Sequence, residues 1–276
     1  MKRVFGICLG VLICIFVSNY AGAYDLVLVH GLTNKHQWSN GFLDKCLAKY
    51  GSGNVYVLYL NESTRVWTRT INGRVLYCCG ENDYSAGDDS VDQQTYLMEI
   101  KTNLLEASYG LSSQFNLIAH SMGGLVCRQY IYENPNTVKA LVTLGTPHKG
   151  SPLAYEGDWI DFFIGADDAV DNLKPDWVCN YFNPTYPAPG PVVSGGGIYS
   201  IAGDADGYDC WGWGGELFVG WGLLSTVHWT DNDGAVPNGN VSIGGMTFVT
   251  RFSSYDHLEL VTKSDVAAKA LLYALP

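Results

Sequence analysis

A run of small residues surrounds one serine, Ala119-His120-Ser121-Met122-Gly123-Gly124. An apolar strand-like stretch leads into it, and a helical pattern (Leu125, Val126, Tyr130, Ile131) leaves it. A nucleophilic serine on a tight strand-to-helix turn needs tiny residues two positions to either side, because strand and helix pass very close there. Ala119 and Gly123 supply those positions, with Ala where the general pattern has Gly. A serine hydroxyl is a weak nucleophile and needs a histidine base, itself oriented by a carboxylate. In chain order Ser, acid, His, the sequence offers Asp231-Asn232-Asp233-Gly234 and then His257. Asp233, followed by Gly, fits a turn that presents a carboxylate, and Asp231 is its competitor. His228 precedes the acid, so the order excludes it, and His148 in Gly-Thr-Pro-His-Lys-Gly reads as a structural turn. The oxyanion of an acyl transfer needs preorganised N–H donors. Met122, after the nucleophile, offers one, and Leu32 of Val29-His30-Gly31-Leu32 offers another. His30 and His120 read as packing residues, the His120 side chain pointing away from Ser121.

The elements that must hold these groups alternate. Residues 24–30 (YDLVLVH), 54–60 (NVYVLYL), 115–119 (FNLIA), 140–144 (ALVTL), 197–202 (GIYSIA) and 246–252 (MTFVTRF) read as strands. Several are apolar on both faces, as buried parallel strands are. Leu97, Ile100, Leu104 and Leu105 recur at helical spacing before Gly110, and a second helical pattern runs over 258–275. Strand and helix alternation predicts an α/β sheet, mostly parallel and flanked by helices. Two stretches break it. Residues 63–80 hold Asn72-Gly73 between two strand-like runs, a strong hairpin signal. Residues 151–195 are aromatic, acidic and rich in Pro and Gly. Both are expected to be excursions from the carboxyl ends of strands, where ligands of such sheets bind.

Composition narrows the class. The 276 residues are 47% hydrophobic and 16% charged, enough for one large domain. Lys2 and Arg3, an apolar run to Val17 and Ala21-Gly22-Ala23 read as a cleavable secretory leader over residues 1–23, with a single domain over 24–276. A secreted or periplasmic protein is expected. Without the leader, 14 basic face 27 acidic residues, a net charge of −13. Such a surface suits neither nucleic acid nor anionic membranes. Cys46, Cys78, Cys79, Cys127, Cys179 and Cys210 remain. Export makes disulfides reasonable among them, but the sequence selects no pairing. Their spacing does not suit zinc.

The set LVLVHGL, NLIAHSMGGLVCRQYI, LGTPHKGS, DNDGAVP and YDHLEL resembles the bacterial secreted triacylglycerol lipases and their esterase relatives, over nearly the whole chain beyond the leader. The resemblance implies an α/β-hydrolase fold and a carboxylic ester hydrolase working through an acyl-enzyme. Ser121 would be the nucleophile, Asp233 the acid, His257 the base, and Leu32 and Met122 the oxyanion donors. It implies an ester or lipid substrate, transient contact with lipid interfaces and no obligate protein partner. A thioesterase, an acyltransferase or a polyester depolymerase would use the same triad, and a non-catalytic binding protein is the remaining alternative. No cofactor is required. Larger members bind a structural calcium near the histidine, where Glu259 stands, but the second ligand position is occupied here by Trp211-Gly-Trp213, with Asp204, Asp206 and Asp209 nearby. The stretch after GTPHKGS is where the family places a lid. Residues 151–175, with Trp159, Ile160, Phe162, Phe163 and Ile164 among five aspartates, are therefore expected to form an apolar cover over the site.

Overall fold

The computed structural model describes residues 24–33, 37–156, 166–211 and 215–276. The leader read at 1–23 and the rings of the expected cover, from Trp159 to Ile164, lie outside them.

Eight strands form one sheet in the order β3-β4-β2-β1-β5-β6-β7-β8. The strands are β1 (Asp25–Val29), β2 (Val55–Leu58), β3 (Val66–Ile71), β4 (Arg74–Cys79), β5 (Phe115–His120), β6 (Val138–Leu144), β7 (Gly197–Asp204) and β8 (Thr247–Ser253). Every pairing is parallel except that of β3 with β4. This is the mostly parallel, helix-flanked sheet expected of an α/β hydrolase.

Side chains alternate across the sheet, and both faces of its central strands are dry. On β1, Val27 and Val29 join one core with Leu117, Ala119 and Leu141, while Leu26 and Leu28 join the other with Ile118, Val142 and Ile201. Each fully buried side chain of this size contributes roughly 1.5–3 kcal/mol. Helices α2 (Val91–Tyr109) and α3 (Gly123–Glu133) cover the first face. The second is covered by α1 (Asn40–Tyr50) and, at the far end of the chain, by two short helices over Glu259–Thr262 and Ser264–Ala270. The helix ends follow from residue type. Ser39 and Ser90 cap α1 and α2 through their hydroxyls, and Gly110, in the left-handed region at φ 71°, ends α2.

One expectation needs correction. The hairpin over 63–80 exists, with Asn72 and Gly73 both at positive φ, but it is no excursion over the site. Its second strand runs parallel to β2, with Tyr56 opposite Tyr77, so the pair extends the sheet to its edge. The alternating β-branched and aromatic residues of 66–79 were themselves the sign of sheet pairing. In the described part of 151–195, Ala166, Ala169, Val170, Val178 and Phe182 are buried in the core beside α3, while Ser151, Ala154 and Leu173 line the cleft described below. Arg128 of α3, 1% exposed, holds this stretch by bonding Asn183 Oδ1 and the Tyr186 carbonyl and lying 5.0 Å from the Phe182 ring centre.

Candidate active site

The carboxyl ends of β1, β5, β6, β7 and β8 open on one side, and the predicted site residues lie in the loops that follow them. The turn after β5 puts Ser121 at φ 51°, a left-handed conformation that costs a non-glycine residue about 1–2 kcal/mol. It is held there by Ser121 N–H donating to Leu144 O (2.9 Å) and by Gly124 N–H donating to Ser121 O (3.0 Å). Close packing explains the small residues. A Cβ on Gly123 would stand 2.1 Å from the His30 carbonyl oxygen, and one on Gly31 would stand 2.6 Å from Ser121 Cβ. The elbow therefore presses directly on the loop after β1.

Across the site, His257 Nδ1 lies 2.8 Å from Asp233 Oδ2, and the His257 N–H donates to the Asp233 carbonyl at 2.8 Å. Asp233 is completely buried. Its other carboxylate oxygen accepts from the N–H groups of Ala235 (3.0 Å) and Val236 (2.8 Å), which satisfies the charge and fixes the plane of the carboxylate. Asp231 is engaged elsewhere: its side chain is 77% exposed and pairs with Arg251 at 3.5 Å. Gly145, after β6, lies beneath the pair, and a Cβ there would come within 3.0 Å of both Asp233 Oδ2 and His257 Nδ1.

Ser121 and His257 line the same cleft, together with Leu32 and with apolar wall residues such as Leu173, Leu217 and Val236. Asp233 lies behind His257. Among the described residues, no acceptor takes the N–H of Leu32 or of Met122. The structure thus brings Leu32, Ser121 and His257, spread over 225 positions of sequence, to one cleft, with Asp233 bonded to His257.

Three further histidines, His30, His120 and His148, are held neutral by burial. His30 Nε2 accepts from the Leu60 N–H (2.9 Å) and Nδ1 donates to Gly31 O (2.6 Å), so the ring carries its proton on Nδ1 and its pKa falls to about 4. His148 donates from Nε2 to Thr143 Oγ1 (3.1 Å) and accepts from Arg128, and burial with that cation holds its pKa well below the usual range. His120 departs from expectation. It is buried as a structural residue would be, yet it lines the cleft, and its ring centre is 4.6 Å from that of His257.

Three contributors had no recognisable signal in the sequence. Gln37 accepts from the Gly31 N–H (3.2 Å) and donates to Leu32 O (3.3 Å), stitching the loop that carries the Leu32 amide. Asp256 Oδ1 accepts from the N–H groups of Leu258 (2.9 Å) and Glu259 (2.8 Å), fixing the turn that carries His257, and burial raises its pKa to about 6. Glu216 enters the wall of the cleft from α4 (Glu216–Thr226).

The acids considered for calcium have other partners. Glu259 pairs with Lys263 (2.8 Å) and accepts from the Asp256 N–H. Asp204 pairs with Arg251 and accepts from Asn238, while Asp206 and Asp209 bond within their own turn. No group of three or more metal-binding side chains is assembled among the described residues. All six cysteines of residues 24–276 are free thiols, five of them buried.

Residues 81–176 match the model of a family described as the PGAP1-like alpha/beta domain, a stretch that contains the serine elbow but neither Asp233 nor His257. A triacylglycerol lipase of Pseudarthrobacter phenanthrenivorans is 27% identical over 134 residues, 49% of this chain and 36% of that protein. A triacylglycerol lipase of Burkholderia plantarii is also 27% identical over 134 residues, which are 32% of its length. The match thus spans about a third of each relative. Among solved structures, the mature Bacillus licheniformis lipase BlEst2 superposes with a TM-score of 0.64 at 21% identity, covering 91% of each chain. The metagenomic carboxyl esterase MGS0156 gives 0.55 at 17% identity, covering 92% of this chain and 74% of its own. Sequence match and shared architecture agree: the chain is similar to lipases and esterases over part of its sequence and has the α/β-hydrolase fold.

Proposed function

We propose that the protein is a secreted carboxylic ester hydrolase in which Ser121, His257 and Asp233 act as one catalytic unit. The observation that carries this reading is the 2.8 Å contact between His257 Nδ1 and a buried Asp233, on a cleft that also contains the elbow serine. Asp233 keeps the proton of His257 on Nδ1, which leaves Nε2 as a base. Ser121 Oγ attacks the ester carbonyl and passes its proton to Nε2. The carbonyl oxygen becomes an oxyanion held by the N–H groups of Leu32 and Met122. The tetrahedral adduct collapses, the alcohol departs with the proton from Nε2, and an ester remains on Ser121. Water then attacks that ester, losing a proton to Nε2, and the carboxylic acid leaves as Ser121 regains its hydrogen. The protein's own groups carry every proton, so no cofactor is needed.

An ester or lipid substrate fits the apolar walls, at about 0.8 kcal/mol for each buried CH₂. The acidic composition directs the protein toward neutral rather than anionic lipid surfaces. Secretion rests on the leader pattern at residues 1–23. The test is a panel of p-nitrophenyl esters, thioesters and polyesters, assayed with wild type and Ser121→Ala. The proposal expects ester turnover in wild type and a loss on the order of 10⁶ in kcat on substitution. Retention of activity within tenfold would refute it.

A further inference from the structure

Two side chains take up the backbone groups of Gly31 and Leu32, in the loop after β1. Gly31 N–H donates to Gln37 Oε1 (3.2 Å), Gly31 O accepts from His30 Nδ1 (2.6 Å) and Leu32 O accepts from Gln37 Nε2 (3.3 Å). Among the described residues, the group left without a partner is the Leu32 N–H, on a residue that lines the cleft. The Gly31–Leu32 peptide is trans, so this N–H points opposite to the carbonyl that His30 holds. Gly87, at φ 88°, leaves room for that carbonyl, since a Cβ there would stand 2.6 Å from Gly31 O. The partners fix which end of the Gln37 amide is oxygen, because a backbone N–H needs an acceptor and a carbonyl needs a donor. His120 Nδ1 lies 3.3 Å from the same Oε1, but it carries no proton while Nε2 donates to the His257 carbonyl, so it adds no further bond. Gln37 is buried, and both ends of its amide are committed to this loop.

Resting on the ester-hydrolase reading, we infer that Gln37 is a positioning residue for the oxyanion: its amide brackets the Gly31–Leu32 peptide and aims the Leu32 N–H at the substrate oxygen that turns negative. His30 grips the carbonyl of that peptide, and Gln37 grips the backbone groups on either side of it. The peptide therefore cannot rotate without breaking a bond. A carbonyl that accepts a hydrogen bond also polarises its own peptide, which makes the N–H a stronger donor. The neutral ester carbonyl gains little from such a donor, whereas the oxyanion gains much. Loss of the Gln37 amide falls on kcat rather than on KM for that reason.

The experiment measures kcat and KM on p-nitrophenyl butyrate for wild type and Gln37→Met, a variant of similar length that lacks both amide bonds. Each protein is also inhibited with an alkyl trifluoromethyl ketone and with the secondary alcohol of the same skeleton. The ketone carbon takes Ser121 Oγ, the hydroxyl proton passes to His257, and the ketone oxygen becomes an oxyanion. The alcohol only occupies the cleft. Losing an oxyanion donor outright costs roughly 10²–10³ in kcat, and Q37M, which loosens the donor without removing it, is expected to lose about 30–100-fold. Ki for the ketone should rise about as much as kcat falls, with KM and the alcohol Ki within about threefold of wild type. If Q37M yields no protein that a fluorophosphonate labels, Gln37→Ala serves the same comparison with less steric demand. A kcat within about threefold of wild type overturns the inference. So does a ketone Ki that stays level while kcat falls, or a rise in KM and the alcohol Ki as large as that for the ketone, which would mean a general distortion of the cleft. Failure of the underlying reading looks different: wild type would then hydrolyse no ester and take up no label.

Discussion

His120 Nε2 lies 2.9 Å from the carbonyl oxygen of His257, and a carbonyl can only accept, so the ring donates. The residue before the elbow serine thus fastens the backbone of the histidine that faces that serine across the cleft. Burial and the neighbouring His257 both hold the His120 pKa well below the usual range, so the ring stays neutral and this donor stays in place. Replacing His120 with Leu removes the donor and leaves the His257 carbonyl buried without it. The expected outcome is a fall in kcat of about 10–100-fold with KM little changed, since the loss is one of positioning rather than binding. A kcat within twofold of wild type, measured on a saturating p-nitrophenyl ester, would show that this contact does not position the base.

Gly123→Ala should be more damaging than its size suggests. The added methyl would meet the His30 carbonyl oxygen at 2.1 Å, and that atom is backbone, which cannot swing aside. Either the elbow or the loop after β1 must move, and the two carry Ser121 and Leu32. Overpacking of this kind costs typically 1–3 kcal/mol. A lowered Tm together with at least a hundredfold loss of kcat/KM is expected, whereas a variant with wild-type kinetics would mean that elbow and loop are not in contact.

The two aspartates of DNDG separate cleanly. Asp233→Asn keeps the shape but loses the acceptor that fixes the His257 tautomer, and a comparable change in a serine protease lowers kcat by about 10⁴. Asp231→Asn removes only an exposed ion pair with Arg251, worth at most about 1 kcal/mol of stability. Activity assays of both variants check this. Equal effects, large or small, would contradict the assignment of the acid.

Stability should fall on acidification. His30, with its folded pKa near 4, and His120 and His148, also well below 6.5, are neutral in the folded protein but take up protons in the unfolded chain. Their stabilisation is therefore complete above about pH 6.5 and is lost as pH falls toward 4. Asp256 works the other way: its folded pKa of about 6 lies above the unfolded value near 3.8, so it gains stability as pH falls through that window. The histidines outnumber it, and each proton counts for about 1.4 kcal/mol per pH unit. Urea midpoints at pH 7.5, 6.5 and 5.5 should stay level between the first two and then drop. A midpoint that rises at pH 5.5 would mean that these rings are not buried and neutral.

The legible parts of the chain were those where one residue type has one physical use. Apolar residues on both sides of a strand announced the parallel sheet, Gly110 ended α2, and the spacing of Ala119, Ser121 and Gly123 marked the turn. The glycine after it favoured Asp233 but left Asp231 as a competitor, which the fold sets apart by leaving it exposed on Arg251. Less legible were residues whose role depends on what the fold lays against them. Gln37 sits in a polar loop with nothing to distinguish it, yet the fold places its amide between Gly31 and Leu32. Glu216 begins a helix and reads as an ordinary first-turn acid until the cleft is seen beside it. The hairpin was visible as a hairpin, but its parallel contact with β2 is a long-range pairing that local pattern does not encode. The same holds for residues 166–182, whose mixed composition gave no period although their apolar members reach the core.

The central claim is that Ser121 is the nucleophile of this cleft. The most direct measurement is to treat the purified protein with an alkyl fluorophosphonate, digest it and map the adduct by mass spectrometry. One phosphonyl group on the peptide containing Ser121, absent after Ser121→Ala and greatly slowed after Asp233→Asn, is the predicted result. An unlabelled protein, or an adduct on any other residue, would contradict the account.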